Sequence, residues 1–281
     1  MARACYRPRM QTRLRPGNAG RVLLVLTIAI LSLPRGATAR PQASAPPRND
    51  SGVVVVVVSA NAEWTVVKAV YPQAAYRRSP WGEYFETTIR AGGRERAIVF
   101  MHGGWGKVAA AGSAQYAIDR WKPSVLMNLG TCGGFGGNIR RFDVVLADRT
   151  IIYDIKEAMG DSAAAIADYT TTIDLGWLGP AFPSPVRKTV LVSADRDLVP
   201  AELAELKAKY GAVAGDWESG AIAYTCARNG QRLLILRGVS DLVTARSGGE
   251  AYGNLQVFEQ GTQKVMRSLL EQLPQWLAMM K

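Results

Sequence analysis

Six consecutive valines, Val53–Val58, constrain the fold of this chain more than any other feature of its sequence. A strand with one face in water alternates polar and apolar residues, whereas this run contains no polar position. Because β-branched residues favour strands, the run predicts a strand that is buried on both faces. Such a strand lies at the centre of a sheet covered by helices. We therefore predict one folded domain over residues 53–281.

Other apolar runs recur along the chain and alternate with helical patterns. Further strands are predicted at Ala97–Met101, Ser124–Asn128, Val144–Ala147, Thr189–Val192 and Leu233–Leu236. Helices are predicted at about 107–120, 200–209, 217–229 and 255–279. This alternation indicates an α/β fold, a single domain with a central mixed, mainly parallel twisted sheet flanked by helices. Ligands of such sheets bind beyond the carboxyl ends of the strands, so the polar positions that follow the runs are the candidate site.

The first residues have the composition of a secretory signal peptide. Residues 1–21 carry six arginines and no acid, and residues 22–33 carry no charge. The apolar stretch has only about a dozen residues, whereas a membrane-spanning helix needs roughly 20. We predict a signal peptide over 1–39, cleaved after Ala39 or, as second choice, after Ala45, and a flexible lead-in over 40–52. The protein is then exported, periplasmic or secreted, with no stable membrane span after cleavage; an uncleaved anchor or a misassigned start is the alternative.

The basic character of the chain comes mostly from this segment. Residues 1–39 contain seven arginines and no acid, so their removal leaves 27 basic and 23 acidic residues and lowers the net charge from +11 to +4. A nucleic-acid partner inferred from the charge of the whole chain would rest on residues that the mature protein lacks. We therefore expect no nucleic-acid partner.

Histidine and cysteine are too sparse for several kinds of site. His102 is the sole histidine, which excludes histidine-rich metal sites and mechanisms that need two histidines. Its place at a probable strand end favours a packing role. Beyond the signal segment only Cys132 and Cys226 remain, and this pair does not indicate a disulfide framework. We expect neither a metal nor a cofactor.

Three acids follow predicted strands or open predicted helices. Glu63 comes shortly after the valine strand, Glu218 lies in the first turn of a helix, and Asp241 directly follows an apolar strand. These acids could converge on one pocket. The structural alternative for each is helix capping or an ion pair with Arg237. A glycine-rich turn, residues 103–106, could also let backbone amides approach an anion or a sugar.

Several motifs in order resemble the nucleoside phosphorylase and nucleosidase superfamily over roughly residues 53–273. The segments WGKVAAA, NLGTCGG, ESGAIAYTCA and RGVSD are most similar to methylthioadenosine/S-adenosylhomocysteine nucleosidases. The resemblance implies hydrolysis of the N-glycosidic bond of a purine nucleoside, with water as the nucleophile. It also implies a homodimer, in which a neighbouring subunit often helps to close the site.

The resemblance implies a role for each matching residue. Asp241 gives a proton to N7 of the leaving purine, Glu218 binds the ribose hydroxyls, and Glu63 engages the attacking water. The implied substrate-binding positions are Ser240 (which orients Asp241), Trp217, Gly130, Gly103, Asp197, Leu198 and Arg237. These roles suit the chemistry, because bond cleavage leaves positive charge on the ribose and negative charge on the purine. A desolvated Asp241 would keep its proton near working pH through a raised pKa.

Three positions differ from the family pattern, and two other functions stay open. Trp64 replaces the second acid of the first turn, Gly103 replaces a serine that contacts ribose, and Asp197 replaces an aromatic residue beside the base. Related phosphorylases carry an arginine where this chain has Asn128, which favours water over phosphate as the nucleophile. A phosphate-dependent phosphorylase and a non-catalytic nucleoside-binding or storage protein are the alternatives.

Overall fold

The computed structural model describes residues 52–179 and 181–280. The predicted signal peptide, and the predicted lead-in up to residue 51, lie outside these residues. No helix in the described part of the chain is long and apolar enough to cross a membrane.

The domain consists of helices and strands that alternate along most of the chain. The helices are α1 Asn61–Val70, α2 Gly106–Trp121, α3 Ser162–Asp168, α4 Leu203–Tyr210, α5 Ser219–Arg228 and α6 Leu255–Met279, with a 3₁₀ turn at Pro200–Glu202. The strands are β1 Val54–Val58, β2 Arg77–Arg78, β3 Glu83–Ala91, β4 Arg94–His102, β5 Val125–Phe135, β6 Val144–Ile152, β7 Thr170–Thr172, β8 Arg187–Ser193, β9 Ala214–Asp216, β10 Leu233–Thr244 and β11 Gly248–Gly249.

All strands belong to one mixed sheet, as the sequence predicts, and part of that sheet closes on itself. The order is β11-β10-β6-β8-β9-β5-β1-β4-β3-β2, with β7 beside β6 and an additional pairing of β10 with β5. The pairs β1–β4, β1–β5, β5–β10, β6–β8 and β8–β9 are parallel. Because β10 bonds both β5 and β6, the strands β5, β10, β6, β8 and β9 form a closed ring. This ring brings together strand ends that an open sheet would keep apart.

The valine strand is buried on both faces, which confirms the first prediction. Val54, Val56 and Val58 belong to the core on the side of α6, together with Trp276. The alternate residues Val55 and Val57 belong to the opposite core, which contains apolar residues of α2 and α5. Each of the five strand valines is at most 1% exposed. Two apolar layers on one strand require helices on both sides, and this arrangement fixes β1 at the centre of the molecule.

The predicted strands are found, but three of them continue well beyond their predicted ends, and one of these is β6, which runs to Ile152. β5 continues through the glycine-rich segment to Phe135, and β10 continues to Thr244. Asp241 therefore lies inside β10, at a bulge where pairing with β5 shifts between Val239 and Asp241, and not after the strand as predicted. Glu218 is the N-cap residue of α5 and precedes its first turn. The apolar pattern stops before these strands end, because their last parts contain glycines and polar residues. Several of those polar residues face the cavity and not solvent.

Candidate active site

A cavity of about 530 Å³ opens at the carboxyl ends of β1, β5, β8, β9 and β10. Its acidic lining residues are Glu63, Asp197, Asp216, Glu218 and Asp241, and its aromatic ones are Trp105, Trp217, Tyr252 and Phe258. The three acids that the sequence singles out thus converge on one cavity, as predicted. Its volume is that of a site for a small organic molecule.

Asp241 is a buried carboxyl with one oxygen left unengaged by the described residues. Its Oδ1 accepts a 2.6 Å hydrogen bond from the Ser240 hydroxyl, and the residue is 6% exposed. Burial raises the pKa of Asp241 above its ordinary value, and the Ser240 hydrogen bond opposes that rise. The charge of the Glu250 carboxylate raises the pKa of Asp241 further. Asp241 is therefore suited to hold a proton and to release it to a basic atom in the cavity.

Glu63 lies in the first turn of α1 and is held as an acceptor of several hydrogen bonds. Its Oε1 accepts bonds from Thr131, at 2.6 Å from the backbone nitrogen and 2.8 Å from the hydroxyl. Its Oε2 accepts the amide of Ala60, the residue that caps the helix, at 3.1 Å. These donors fix the carboxylate at the edge of the cavity.

Glu218 is held by the N-terminus of another helix. Gly106, the first residue of α2, donates its amide to Glu218 Oε1 at 3.2 Å, and the next amide, of Lys107, donates to Asp195 at 2.7 Å. Gly106 has a φ of +83°, which a residue with a side chain rarely adopts. The glycine-rich turn therefore does present amides to anions, but in this structure the anions are carboxylates of the same chain. Burial raises the pKa of Glu218 to about 8.

One arginine lies beneath the cavity and joins the acids. Arg237 is 1% exposed, and its Nη1 lies 3.5 Å from Glu63 Oε1. Its Nη2 lies 3.4 Å from Glu218 Oε2, and its Nε lies 3.0 Å from Asp216 Oδ2. The sequence offered an ion pair with Arg237 as the structural alternative for these acids. Glu63 and Glu218 both form that ion pair, and both also line the cavity.

Three predicted substrate-binding residues lie outside the cavity lining. Arg237 is beneath it, as described above. Gly130 supports that arrangement, because a Cβ atom there would lie 2.2 Å from Arg237 Nη1 and 2.7 Å from Glu63 Oε1. Gly103 packs against Val57 and Ser113, where a Cβ atom would lie 2.6 Å and 2.9 Å from their side chains. These three residues pack beneath or beside the cavity, and their contact with substrate stays a prediction.

The other predicted binding residues, Ser240, Trp217, Asp197 and Leu198, do line the cavity. Trp217 packs against Trp105, with ring centroids 4.7 Å apart. Tyr252 lines the cavity as well, and its hydroxyl donates to the carbonyl of Leu198. The two tryptophan rings thus form an aromatic wall of the cavity.

The sequence interpretation assigned no role to two further residues of the site, Asp216 and Thr131. Both line the cavity, and both contact the acid–arginine cluster. Asp216 stands two positions before Glu218, a signal that could have identified it. Thr131 stands among the glycines of the NLGTCGG segment, and no sequence pattern distinguishes it.

The lone histidine has the predicted packing role. His102 is the last residue of β4, and its ring stacks on Trp64 with centroids 5.5 Å apart. Burial lowers the pKa of His102, so a neutral imidazole is favoured. Cys132 and Cys226 are both free and buried.

The protein is thus an α/β domain in which a closed ring of strands carries, at the strand ends, a cavity lined by buried acids and aromatic rings. Residues 53–273 match the family model described as the phosphorylase superfamily, and the chain belongs to this superfamily.

Two curated relatives of similar sequence carry the same name. A 5'-methylthioadenosine/S-adenosylhomocysteine nucleosidase of Actinobacillus succinogenes is 27% identical over 164 residues, which cover 54% of this chain and 71% of that protein. The protein of the same name from Thermotoga maritima is 31% identical over 147 residues, covering 52% and 66% respectively.

Solved structures of similarly named proteins share the fold. The nucleosidase of Neisseria meningitidis in complex with methylthio-immucillin-A has a TM-score of 0.62 at 19% identity, and the match covers 81% of this chain and 99% of that one. The nucleosidase of S. pneumoniae with a transition-state inhibitor has a TM-score of 0.62 at 17% identity, covering 82% and 100%. At these identities the match establishes the common architecture.

Proposed function

We propose that this protein hydrolyses the N-glycosidic bond of a purine nucleoside of the 5′-methylthioadenosine or S-adenosylhomocysteine type, and releases the free base and the ribose derivative. The observation that carries the proposal is the convergence of Glu63, Glu218 and Asp241 on one cavity. The superfamily membership and the shared name of the relatives support the same reaction.

Asp241 acts as the general acid in this proposal. As the C1′–N9 bond breaks, its electron pair moves into the purine, and a proton from Asp241 to N7 neutralises the developing charge. Burial raises the pKa of Asp241, so the proton is available at higher pH than on an exposed aspartate. Ser240 holds Oδ1 in place and leaves Oδ2 for the base.

The other two acids act at the sugar. Glu218 binds the ribose hydroxyls, and the paired rings of Trp105 and Trp217 lie beside it as an apolar wall. Glu63 orients the attacking water and accepts its proton as the new C1′–O bond forms. A fixed carboxylate also stabilises the positive charge that develops on the ribose.

The charges around the cavity favour water over phosphate as the nucleophile. A phosphate dianion needs cationic partners in a partly buried site. Arg237 is already paired with three carboxylates, and the guanidinium of Arg196, which lines the cavity, is paired with Glu202 at 2.6 Å. A dianion beside Glu63 would instead meet like charge.

A product assay tests the proposal. Purified protein is incubated with 5′-methylthioadenosine with and without inorganic phosphate, and adenine and the sugar product are quantified. We expect adenine release at equal rates in both, with free methylthioribose as the sugar product. Strict dependence on phosphate, with a sugar phosphate as product, would establish a phosphorylase. Binding of purine nucleosides without release of base from any of them would establish a storage protein.

We also propose export to the periplasm or beyond the cell, on the pattern of residues 1–39, and assembly as a homodimer, on the family resemblance. N-terminal sequencing of the protein recovered from cell fractions tests the first proposal, and sedimentation of the mature chain tests the second.

A further inference from the structure

Four buried acids line the cavity within the described residues, and the proposed mechanism leaves one of them, Asp216, without a task. Asp216 is the last residue of β9, and its side chain is 2% exposed. A buried carboxylate is costly unless it is paired and hydrogen-bonded. Its partners therefore indicate what it does.

Asp216 receives hydrogen bonds from two residues, Ser193 and Ser219, and forms an ion pair with a third, Arg237. The Ser193 hydroxyl donates to Oδ1 at 2.6 Å. The Ser219 amide lies 3.2 Å from both oxygens, and the Ser219 hydroxyl also donates to Oδ2. Arg237 Nε lies 3.0 Å from Oδ2. A carboxylate only accepts, and it can satisfy this number of donors, whereas an amide would turn an N–H group towards at least one of them.

Asp216 and the other two acids occupy different sides of the guanidinium. Asp216 lies 3.0 Å from Nε, and Nε donates a hydrogen bond to the Ser219 hydroxyl, which in turn donates to Asp216. Nη1 lies 3.5 Å from Glu63 and donates to the Thr131 carbonyl. Nη2 donates to Glu218 at 3.4 Å and to Asn128 at 2.9 Å. A guanidinium is planar, so an anchor at Nε fixes the directions of both terminal nitrogens. The distances to Glu63 and Glu218, 3.5 Å and 3.4 Å, are longer than the 3.0 Å to Asp216, so Asp216 is the nearest charged partner of Arg237.

We propose that Asp216 is a positioning residue for hydrolysis: it holds Arg237 in the orientation in which one guanidinium sets both the carboxylate at the water and the carboxylate at the ribose. The inference rests on the proposed nucleosidase reaction. It adds that the two carboxylates are positioned together, through Arg237, by an acid that touches neither the water nor the ribose.

The first test is Asp216→Asn, which keeps the shape and removes the charge. We expect kcat to fall about 10- to 100-fold, a loss typical of residues that orient the groups in direct contact with the reacting atoms. KM should change less than kcat, because the misplaced groups act mainly in the transition state. The pH profile provides a second readout: the Asp216 charge contributes to the raised pKa of Glu218, so the profile of kcat/KM should move to lower pH.

Two further variants complete the test. Ser193→Ala removes one anchor of Asp216 without a change of charge, and we expect a smaller loss of kcat in a fully folded protein. Glu83→Gln is the matched control, since Glu83 also holds a cation and a neutral donor, Lys68 and Trp64, but lies outside the cavity lining. Its activity should equal that of the wild type.

The outcomes separate the two proposals. If the wild type cleaves purine nucleosides and folded Asp216→Asn retains its kcat and pH profile within twofold, the role of Asp216 is overturned and the proposed function stands. If Asp216→Asn does not fold, unchanged kcat in Ser193→Ala overturns that role. A wild type that releases no base from any purine nucleoside overturns the proposed function itself, and the role of Asp216 with it.

Discussion

Asp241 and Glu63 are both buried, yet their hydrogen-bond partners differ in a way that suits the acid and base roles proposed for them. Glu63 receives hydrogen bonds from the amide of Ala60 and from the amide and hydroxyl of Thr131, and it lies beside Arg237. Asp241 receives a bond from Ser240 alone, and its burial raises its pKa. Pairs of carboxyl groups with such opposed environments commonly divide acid and base roles. The division here follows from the hydrogen bonds of individual side chains.

This division predicts the effect of Asp241→Asn. The amide keeps the size of the side chain but has no proton to give to N7, so we expect kcat to fall about 10²- to 10⁴-fold. The fold should be unaffected, because burial of a neutral amide costs no more than burial of this carboxyl. Adenine release from 5′-methylthioadenosine measures the loss. Asp174→Asn, at a surface turn outside the cavity lining, serves as the control, and a near-normal rate in Asp241→Asn would contradict the general-acid role.

Helix α6 packs closely against the bulge of β10 that carries Ser240 and Asp241. Gly261 makes this approach possible, because a Cβ atom there would lie 2.3 Å from the backbone oxygen of Ser240. The atom that it meets is backbone, which cannot move aside like the end of a flexible side chain. The position of the helix and the position of Asp241 in β10 are therefore linked.

This contact predicts that Gly261→Ala affects both stability and activity. The helix has to move away or the bulge has to shift, and overpacking of this kind typically costs about 1–3 kcal/mol. A shift of the bulge moves Ser240 and Asp241, so kcat should fall as well. Urea unfolding and adenine release measure the two effects. Gln263→Ala, at an exposed position of the same helix, is the control, and equal stability and activity in both variants would show that the bulge tolerates the methyl group.

The periodicity of the sequence was sufficient to place the central elements, and it failed where polar residues are buried. Apolar runs located β1, β4, β5, β6, β8 and β10, and helical spacing located α2, α4, α5 and α6. The ends of β5 and β10 were missed because Gly130, Thr131 and Arg237 interrupt the apolar pattern while lying inside strands. α1 and β3 were missed as well. Three acids were identified from their positions near strand ends and helix starts. Arg237 joins two of them, Glu63 and Glu218, to Asp216, and these groups come from α1, β9, β10 and the start of α5, so their meeting is not encoded in local spacing.

The base of the cavity holds more buried carboxylates than cations. Three carboxylates, of Glu63, Asp216 and Glu218, surround the single guanidinium of Arg237 in a buried setting. If all three were ionised, the cluster would carry a net charge of −2. Burial therefore favours retention of a proton, and the raised pKa of Glu218, about 8, places it there. Folding thus takes up a proton that the unfolded chain releases at a lower pH.

This proton uptake predicts how stability depends on pH. The pKa of Glu218 is about 8 in the folded protein and 4.5 as its ordinary value, so between these limits the folded state binds more protons than the unfolded state. The stabilisation is fully present below pH 4.5 and is lost as the pH rises through 8, with a slope of at most about 1.4 kcal/mol per pH unit for one proton. The raised pKa of Asp241 acts in the same direction. Urea unfolding from pH 5 to pH 8.5 measures this dependence.

Glu218→Gln identifies the group responsible for the slope. The amide cannot titrate, so the stability of this variant should vary less between pH 5 and pH 8 than that of the wild type. Glu83→Gln is the control, because hydrogen bonds from Trp64 and Lys68 lower the pKa of Glu83 and its titration falls below this window. Its slope should match that of the wild type. An unchanged slope in Glu218→Gln would mean that Glu218 is ionised throughout the window and that Arg237 alone balances the three carboxylates.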